Sequence, residues 1–312
     1  WMATRKSDFL TALSFFWNSW AVNQNIIVVI CGSAASWMIE KVVNNRGGLY
    51  NRITKRIFLE SFSLLETENY FKNRNIRFSR YQIIELYTVL GGIPHYLKEV
   101  KAGKSAIQNI DDICFSEAGL LRDEFSSLYH ALFEKADNHV SIIQALGQKW
   151  KGLTRKEIVK QSKIKEGGGV TKILKELIHS GFVSAYYPFG KKKKEMLYRL
   201  TDEYSLFYLH FIENKRLQER GMWKQLSQTS VYRAWSGYAF ESLCLKHTFQ
   251  IKKSLEIGGI YTETSSFYFK GNEELPGTQI DLLIDRNDGV INLCELKFYN
   301  DVFTINKNYA KQ

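Results

Sequence analysis

The sequence predicts a multidomain α/β protein, and three patterns in its 312 residues support that class. A helix-spaced apolar segment precedes a continuous β-branched run at residues 25–30, which is typical of a buried strand in a covered parallel sheet. A helix, turn, helix and hairpin pattern follows at residues 154–200, and two strand patterns joined by a turn lie at 279–297. Because this length exceeds one ordinary domain, we divide the chain into several units. The predicted units are residues 1–80, 81–150, 151–215 and 216–312.

The composition indicates a cytoplasmic protein with a polyanionic partner and gives no sign of a membrane span. The longest apolar run, at residues 26–31, is far shorter than the 18 or more residues of a membrane helix, and no signal-peptide pattern opens the chain. A net charge of +11, from 43 basic and 32 acidic residues, favours nucleic acid through counterion release. The spacing of the four cysteines predicts neither a metal site nor a disulfide framework.

The first unit is predicted to be the later part of an α/β domain. Arg5 to about Trp20 has helical spacing, and the strand at 25–30, the helix at 35–43 and the strand at 56–62 make a strand–helix–strand unit. Two parallel strands are too few for a sheet, so we expect partner strands upstream. The start at Trp1 rather than Met agrees with that expectation.

The second unit, residues 81–150, is predicted to be a helical lid or spacer. Its helix patterns cover Tyr81–Thr88, Pro94–Ala102 and Leu120–Glu134, and Gly91-Gly92-Ile93-Pro94 interrupts them.

The third unit has the element order of a winged helix. Thr154 and Glu157 form a capping-box signature, residues 170–180 form the second helix, and a hairpin follows with strands at 182–187 and 196–200. An aromatic-rich helix from about residue 203 completes the unit.

Lysines of this unit are the predicted DNA contacts. Lys172 and Lys175 lie on the second helix, and the predicted wing tip consists of Lys191, Lys192, Lys193 and Lys194. These ammonium groups suit a phosphate backbone, whereas the second helix offers few side chains that could read bases. The alternatives are that the winged helix is a protein-docking module and that the lysine run is a solvated turn.

The fourth unit contains two carboxylates and a lysine on neighbouring predicted strands. Asp281 lies in the strand 279–284, and Glu295 and Lys297 project from one face of the strand 290–297. Two such carboxylates can share Mg²⁺, and the ammonium group can orient the attacking water. We therefore predict Asp281, Glu295 and Lys297 as catalytic residues.

This arrangement resembles the PD-(D/E)XK nuclease motif over the last quarter of the chain. Glu241, on the preceding helix, matches the position where many members have a further acidic metal ligand. Ile280 replaces the proline of the motif's name. The alternative is an exposed ion pair between Glu295 and Lys297 at a sheet edge.

A second resemblance covers nearly the whole chain. Ser33 follows the first strand, Arg52 and Arg56 precede the next strand, and the Gly-Gly-Ile-Pro segment at 91–94 comes later. In that order, followed by a winged helix and a nuclease-like domain, the chain is similar to the archaeal ATPase family of AAA+-like P-loop proteins. The resemblance implies ATP as cofactor, Ser33 as a γ-phosphate sensor and Arg52, then Arg56, as arginine finger toward a neighbouring subunit.

The sequence has no G-x-x-x-x-G-K-[ST] motif, so we expect that this chain alone does not hydrolyse ATP. We expect that the chain begins just after the metal-binding strand of the ATPase domain. The sequence thus predicts an ATP-dependent, DNA-associated enzyme that assembles as a homo-oligomer and has a nuclease-like domain. The alternative is a non-catalytic docking module with a degenerate nuclease fold.

Overall fold

The protein is a mixed α/β molecule in a computed structural model that describes residues 7–32, 38–44, 47–133, 135–191, 195–213, 221–273, 277–299, 301–305 and 307. The α-helices are α1 Phe9–Ser19, α2 Leu64–Asn73, α3 Arg80–Leu90, α4 Pro94–Leu97, α5 Ala106–Cys114, α6 Glu124–Leu132, α7 Ala136–Gly147, α8 Arg155–Ser162, α9 Gly168–His179, α10 Glu203–Phe211, α11 Met222–Leu226, α12 Ser230–Lys246 and α13 Thr248–Ser254. The strands are β1 Leu153–Thr154, β2 Val183–Tyr186, β3 Leu197–Leu200, β4 Thr262–Phe269, β5 Thr278–Arg286 and β6 Ile291–Cys294. They form two antiparallel sheets, ordered β1-β3-β2 and β4-β5-β6.

The N-terminal strands predicted at 25–30 and 56–62 are wrong for the described chain. Neither stretch pairs with a described strand, and Ile27, Val29 and Leu59 are 92, 82 and 88% exposed. β-branched residues favour extended backbone, but a strand forms only when a neighbour accepts and donates its ladder hydrogen bonds. A helix was predicted to start at residue 35, and the described part of that stretch is a π-helix over Met38–Val43.

Capping boxes set the starts of several helices. Ser63, Ser79 and Ser105 each accept a hydrogen bond from the backbone three residues later, while the Glu or Gln at that position bonds back to the capping residue. The helix predicted over 94–102 ends at Leu97 instead. The chain must turn there, through Gly103 at φ 77°, before Ser105 can start α5.

The described residues of 154–200 form the predicted helices and hairpin, whereas α7 before them was not predicted. Thr154 caps α8 through its capping box with Glu157, and β2 pairs with β3 in a register that sets Val183 opposite Leu200. The two-residue strand β1, which the sequence did not predict, adds to the free side of β3. Arg155 fixes the connection between α8 and α9 by donating to Glu166 at 3.1 Å and to the Gly167 carbonyl at 2.9 Å.

The C-terminal part places two helices and a three-stranded sheet around a small core. Strand β5 lies between β4 and β6, and its register with β6 pairs Leu282 with Cys294. β4 was missed at the sequence level, although its β-branched and aromatic residues favour a strand. β6 ends at Cys294, three residues earlier than predicted.

One cluster of buried apolar residues extends from Phe71 to Ala239, so the helical part and the β1-β3-β2 sheet share a core. Its centre is aromatic: the ring of Trp223 lies 5.0 Å from Phe207 and 5.1 Å from Phe211. Asp111 of α5 fixes this region by accepting from the backbone of Gly221 at 2.7 Å and of Trp223 at 2.8 Å.

Two polar contacts fasten α12 to the rest of the helical part. The buried carboxylate of Glu203 pairs with Lys246 through contacts of 2.9 and 3.0 Å. His247 accepts from the backbone N–H of Leu64 at 3.2 Å, at the start of α2. Burial lowers the pKa of His247, which keeps its accepting nitrogen unprotonated.

A half-buried carboxyl group of α3 makes stability depend on pH. Burial raises the pKa of Glu85 to about 7, against the hydrogen bond from Tyr232, which lowers it. The folded state therefore holds this proton more tightly than the unfolded chain, whose Glu pKa is near 4.5. The resulting stabilisation is present below pH 4.5 and is lost as the pH rises through 7.

We expect Glu85→Gln to raise the free energy of unfolding by about 1–2 kcal/mol at pH 8 and to leave it nearly unchanged at pH 5. The amide stays neutral at both pH values, and the gain is below that of a fully buried acid because water still reaches the group. Urea unfolding of both proteins at the two pH values measures the difference. An equal effect at pH 5 and pH 8 would contradict the assignment.

Candidate functional site

The candidate site lies where β5, the segment after β6 and helix α12 meet. Asp281 of β5 is 8% exposed, and each of its carboxylate oxygens has a protein donor. Oδ2 accepts from the backbone N–H of Leu296 at 3.0 Å, and Oδ1 accepts from Nε2 of Gln279 at 3.0 Å. The register that pairs Leu282 with Cys294 makes Asp281 and Glu295 the next residues along their chains. The two residues are thus neighbours where the ladder ends, and their role as a joint metal site stays a prediction.

Glu295 and Lys297 lie beyond the end of β6 and form an ion pair with each other. Their side chains are 44 and 45% exposed, and β6 is at the edge of the described sheet. They therefore project to the same side, as predicted, although the strand that was expected to hold them has ended. The geometry matches the alternative interpretation of this pair, a solvent-exposed ion pair at a sheet edge.

Glu241, on α12, completes the group of carboxylates. Burial raises its pKa, and the negative charges of Asp281 and Glu295 raise it further. The positive charges of Arg199 and Lys151 oppose this shift. The guanidinium of Arg199 lies 3.7 Å from the Glu241 carboxylate, and both side chains are largely buried. Neither cation belongs to the nuclease-like pattern, because both come from residues 151–200.

Lys151 lies beside the same carboxylates. Its Nζ is 3.5 Å from the centre of the Tyr268 ring on β4, a cation–π contact between the two sheets. Burial lowers its pKa, and the charges of Glu241 and Asp281 oppose that change. No sequence pattern pointed to Lys151 or Arg199, because Glu241 lies more than 40 residues away from each of them along the chain.

The charges around these carboxylates and their hydrogen-bond donors decide whether they could hold a divalent cation. Within the part of the chain that the structure describes, no three His, Cys, Asp or Glu side chains are placed to hold one metal ion. Asp281, Glu241 and Glu295 face Arg199, Lys151 and Lys297, so no excess negative charge remains. Mg²⁺ needs carboxylate oxygens that face it, and here the carboxylates already face protein donors. The described arrangement does not fit the metal.

A thiol lies in the same neighbourhood. Burial, together with the charges of Glu241 and Asp281, raises the pKa of Cys244 to about 12. A thiol with that pKa is protonated at neutral pH, so Cys244 is not a nucleophile here.

The predicted DNA contacts are exposed where they are described. Lys172 and Lys175 are on the outer face of α9, whose apolar face is buried through Val170, Ile173 and Leu177. Lys191 is exposed and pairs with Glu195 at 3.3 Å, whereas Lys192, Lys193 and Lys194 lie outside the described residues.

The net positive charge is concentrated around these lysines. Residues 151–200 contain thirteen basic and four acidic residues, a net +9 of the +11 of the whole chain. The further exposed lysines of α8 and of the connection to α9 are Lys156, Lys160, Lys163 and Lys165.

Two of the residues predicted to contact ATP are described, and one is not. Arg52 and Arg56 are exposed in the segment before α2, and Ser33 lies outside the described residues. ATP binding by these residues stays a prediction.

Comparison with known proteins gives one distant relative. The chain is 24% identical over 285 residues to a protein of Methanocaldococcus jannaschii that is described as uncharacterized. The match covers 88% of this chain and 60% of the relative, so the chain spans less than two thirds of that protein. No protein-family model and no solved structure matches the chain. Among the described helices, none is long and apolar enough to cross a bilayer.

Proposed function

We propose that the protein binds DNA through the surface of residues 151–200. The observation that favours this function is the concentration of charge: this stretch has a net +9, and its exposed lysines include both helix positions, Lys172 and Lys175. A polyanion releases counterions when lysines neutralise its phosphates, so such a surface gains affinity for DNA at moderate salt.

The element order supports the same function. The succession α7, β1, α8, α9, β2 and β3 is that of a winged helix, in which the second helix of the helical pair approaches the major groove. The apolar face of α9 packs on the core, so Lys172 and Lys175 point toward solvent. The hairpin β2–β3 would lie along the phosphate backbone beside that helix.

The proposed binding is non-specific in sequence. The residues of α9 that face solvent include lysines and a threonine but no Arg, Asn or Gln, which are the side chains that bond bases in pairs. Lysine ammonium groups mainly contact phosphates, which fix position without reading sequence.

Replacing Lys172 and Lys175 together by alanine is expected to weaken DNA binding equally for unrelated duplexes. The slope of log K against log salt concentration should become shallower by about 2, because each lost phosphate contact removes about one released counterion. Fluorescence anisotropy of labelled duplexes over a salt series measures both quantities.

The matched control replaces Lys98 and Lys101, which are exposed but lie outside residues 151–200. This variant removes the same charge and should leave the slope unchanged. An equal loss in the control would show that only net charge matters, and a wild-type affinity that does not change with salt would exclude phosphate binding.

ATP hydrolysis and DNA cleavage stay predictions from the sequence. The described C-terminal part favours the second interpretation of that region, a docking module without a catalytic metal, because its motif carboxylates already face protein cations and donors.

A further inference from the structure

The unit of residues 150–200 contacts the C-terminal part at several points. The ring of Trp150 stacks on Tyr238 of α12 with centroids 5.1 Å apart, and the backbone N–H of Phe189 donates to the Ser266 carbonyl of β4 at 3.1 Å. The cation–π contact of Lys151 with Tyr268 adds a third point. Lys151, in the third of these contacts, also interacts electrostatically with Glu241 and Asp281, two of the carboxylates that match the nuclease motif.

We propose that these carboxylates form an electrostatic joint that fixes the DNA-binding unit on the C-terminal part, rather than the ligand set of a catalytic metal ion. Glu241 is the acceptor of the joint, Arg199 and Lys151 are its cations, and Asp281 adds a second negative charge. The joint does not depend on whether residues 151–200 bind DNA.

The burial of Arg199 is the first reason for assigning a joint rather than a metal site. Its side chain is 12% exposed, its guanidinium lies over the ring of Tyr186 at 5.1 Å, and Glu241 is 3.7 Å away. Guanidinium is charged at every physiological pH, so a buried one requires a carboxylate nearby. Transfer of Glu241 to a metal ion would leave this cation unpaired in a poorly solvated place.

The fixed position of Lys151 is the second reason. Its backbone carbonyl accepts from the hydroxyl of Tyr186 at 2.6 Å, which ties the residue to strand β2. Its side chain meanwhile reaches Tyr268 on the other sheet. Lys151 therefore contacts both sheets, and its charge interacts with those of Glu241 and Asp281.

The hydrogen bonds of Asp281 are the third reason for assigning a joint rather than a metal site. Both of its oxygens accept hydrogen bonds from its own part of the chain, from Gln279 and from Leu296. A carboxylate with donors of this kind orders the start of the segment after β6. It thereby places Glu295 beside the joint.

The joint has a consequence for binding. Because the lysine-rich surface is held at a fixed angle to the C-terminal part, DNA bound to α9 would meet the sheet β4-β5-β6 in one orientation. A flexible tether would leave that orientation open.

Two measurements on the whole chain test the joint. The first is a double-mutant cycle with Arg199→Met, Glu241→Gln and both together, read as the unfolding equilibrium constant in urea. We expect a coupling of about tenfold, as for a pair in contact within one network. A second cycle with Lys151→Met and Glu241→Gln covers the case in which Arg199→Met does not fold, because Lys151 is exposed.

The control cycle uses Lys72 and Glu68, a pair 2.7 Å apart at i and i+4 on α2 whose lysine is 60% exposed. Its coupling should be about twofold. Coupling at the joint above that of the control supports the proposal, and coupling equal to or below it overturns the proposal.

The second measurement is calorimetric titration of the wild-type protein with Mn²⁺, a substitute for Mg²⁺. We expect no binding up to millimolar concentration. Saturable binding near one ion per chain that Asp281→Asn abolishes would overturn the proposal and restore the metal site. Neither result bears on the DNA-binding proposal, which is tested by replacing Lys172 and Lys175 with alanine.

Discussion

Replacing Trp223 with alanine is expected to lower the free energy of unfolding by about 4 kcal/mol, the largest effect of a single substitution that we predict. The indole is 2% exposed and contacts five aromatic rings, those of Phe115, Phe207, Phe211, Tyr232 and Trp235. Its removal leaves a cavity where helices α5, α10 and α12 meet, and rings fixed in edge-to-face packing cannot fill it without leaving their rotamers.

Urea unfolding followed by far-UV circular dichroism measures this effect. The control is Trp20→Ala, since Trp20 is 53% exposed and should change stability by less than about 1 kcal/mol. Trp223→Phe, which keeps part of the ring volume, should fall between the two. A cost for Trp223→Ala no greater than that of Trp20→Ala would show that this cluster does not hold the helices together.

Replacing Lys246 with methionine is expected to have the second-largest effect on the free energy of unfolding. We expect a loss of about 3 kcal/mol, because the buried carboxylate of Glu203 would lose its partner while remaining charged. Burial raises the pKa of Glu203, and the charge of Lys246 opposes that shift. In the variant the opposing charge is gone, so the carboxyl group should take up a proton at higher pH than in the wild type. The loss should therefore be greater at pH 8 than at pH 5.

The double variant Glu203→Gln with Lys246→Met separates the two causes of this loss. Removing both charges should restore most of the stability, because a neutral amide in this place costs far less than an unpaired carboxylate. Thermal unfolding at pH 5 and pH 8 measures all three proteins. If the double variant is as unstable as Lys246→Met alone, the loss comes from packing of the lysine stem rather than from the charge.

Sequence patterns predicted the elements whose stabilising contacts are local. The capping box of Thr154 and Glu157, the hairpin and the helices of residues 154–200 formed as expected, because their hydrogen bonds join residues close along the chain. These residues are three or four apart in the helices and 11 to 17 apart in the hairpin. One short turn joins β5 and β6, and the register of this hairpin makes Asp281 and Glu295 neighbours where the ladder ends. These features depend on neighbours along the chain, which the sequence displays directly.

The tertiary structure decided what depends on distant partners. The apolar runs at 25–30 and 56–62 have the composition of strands, yet no described strand pairs with them, because a ladder requires a second strand that composition does not specify. The sequence likewise placed Glu241, Asp281 and Glu295 in one site but could not show that Arg199 and Lys151 face them. Whether a cluster of carboxylates binds a metal ion or a protein cation depends on the charges around it. The packing of two units sets these charges here, and the contacts between the units join residues that are far apart in the chain.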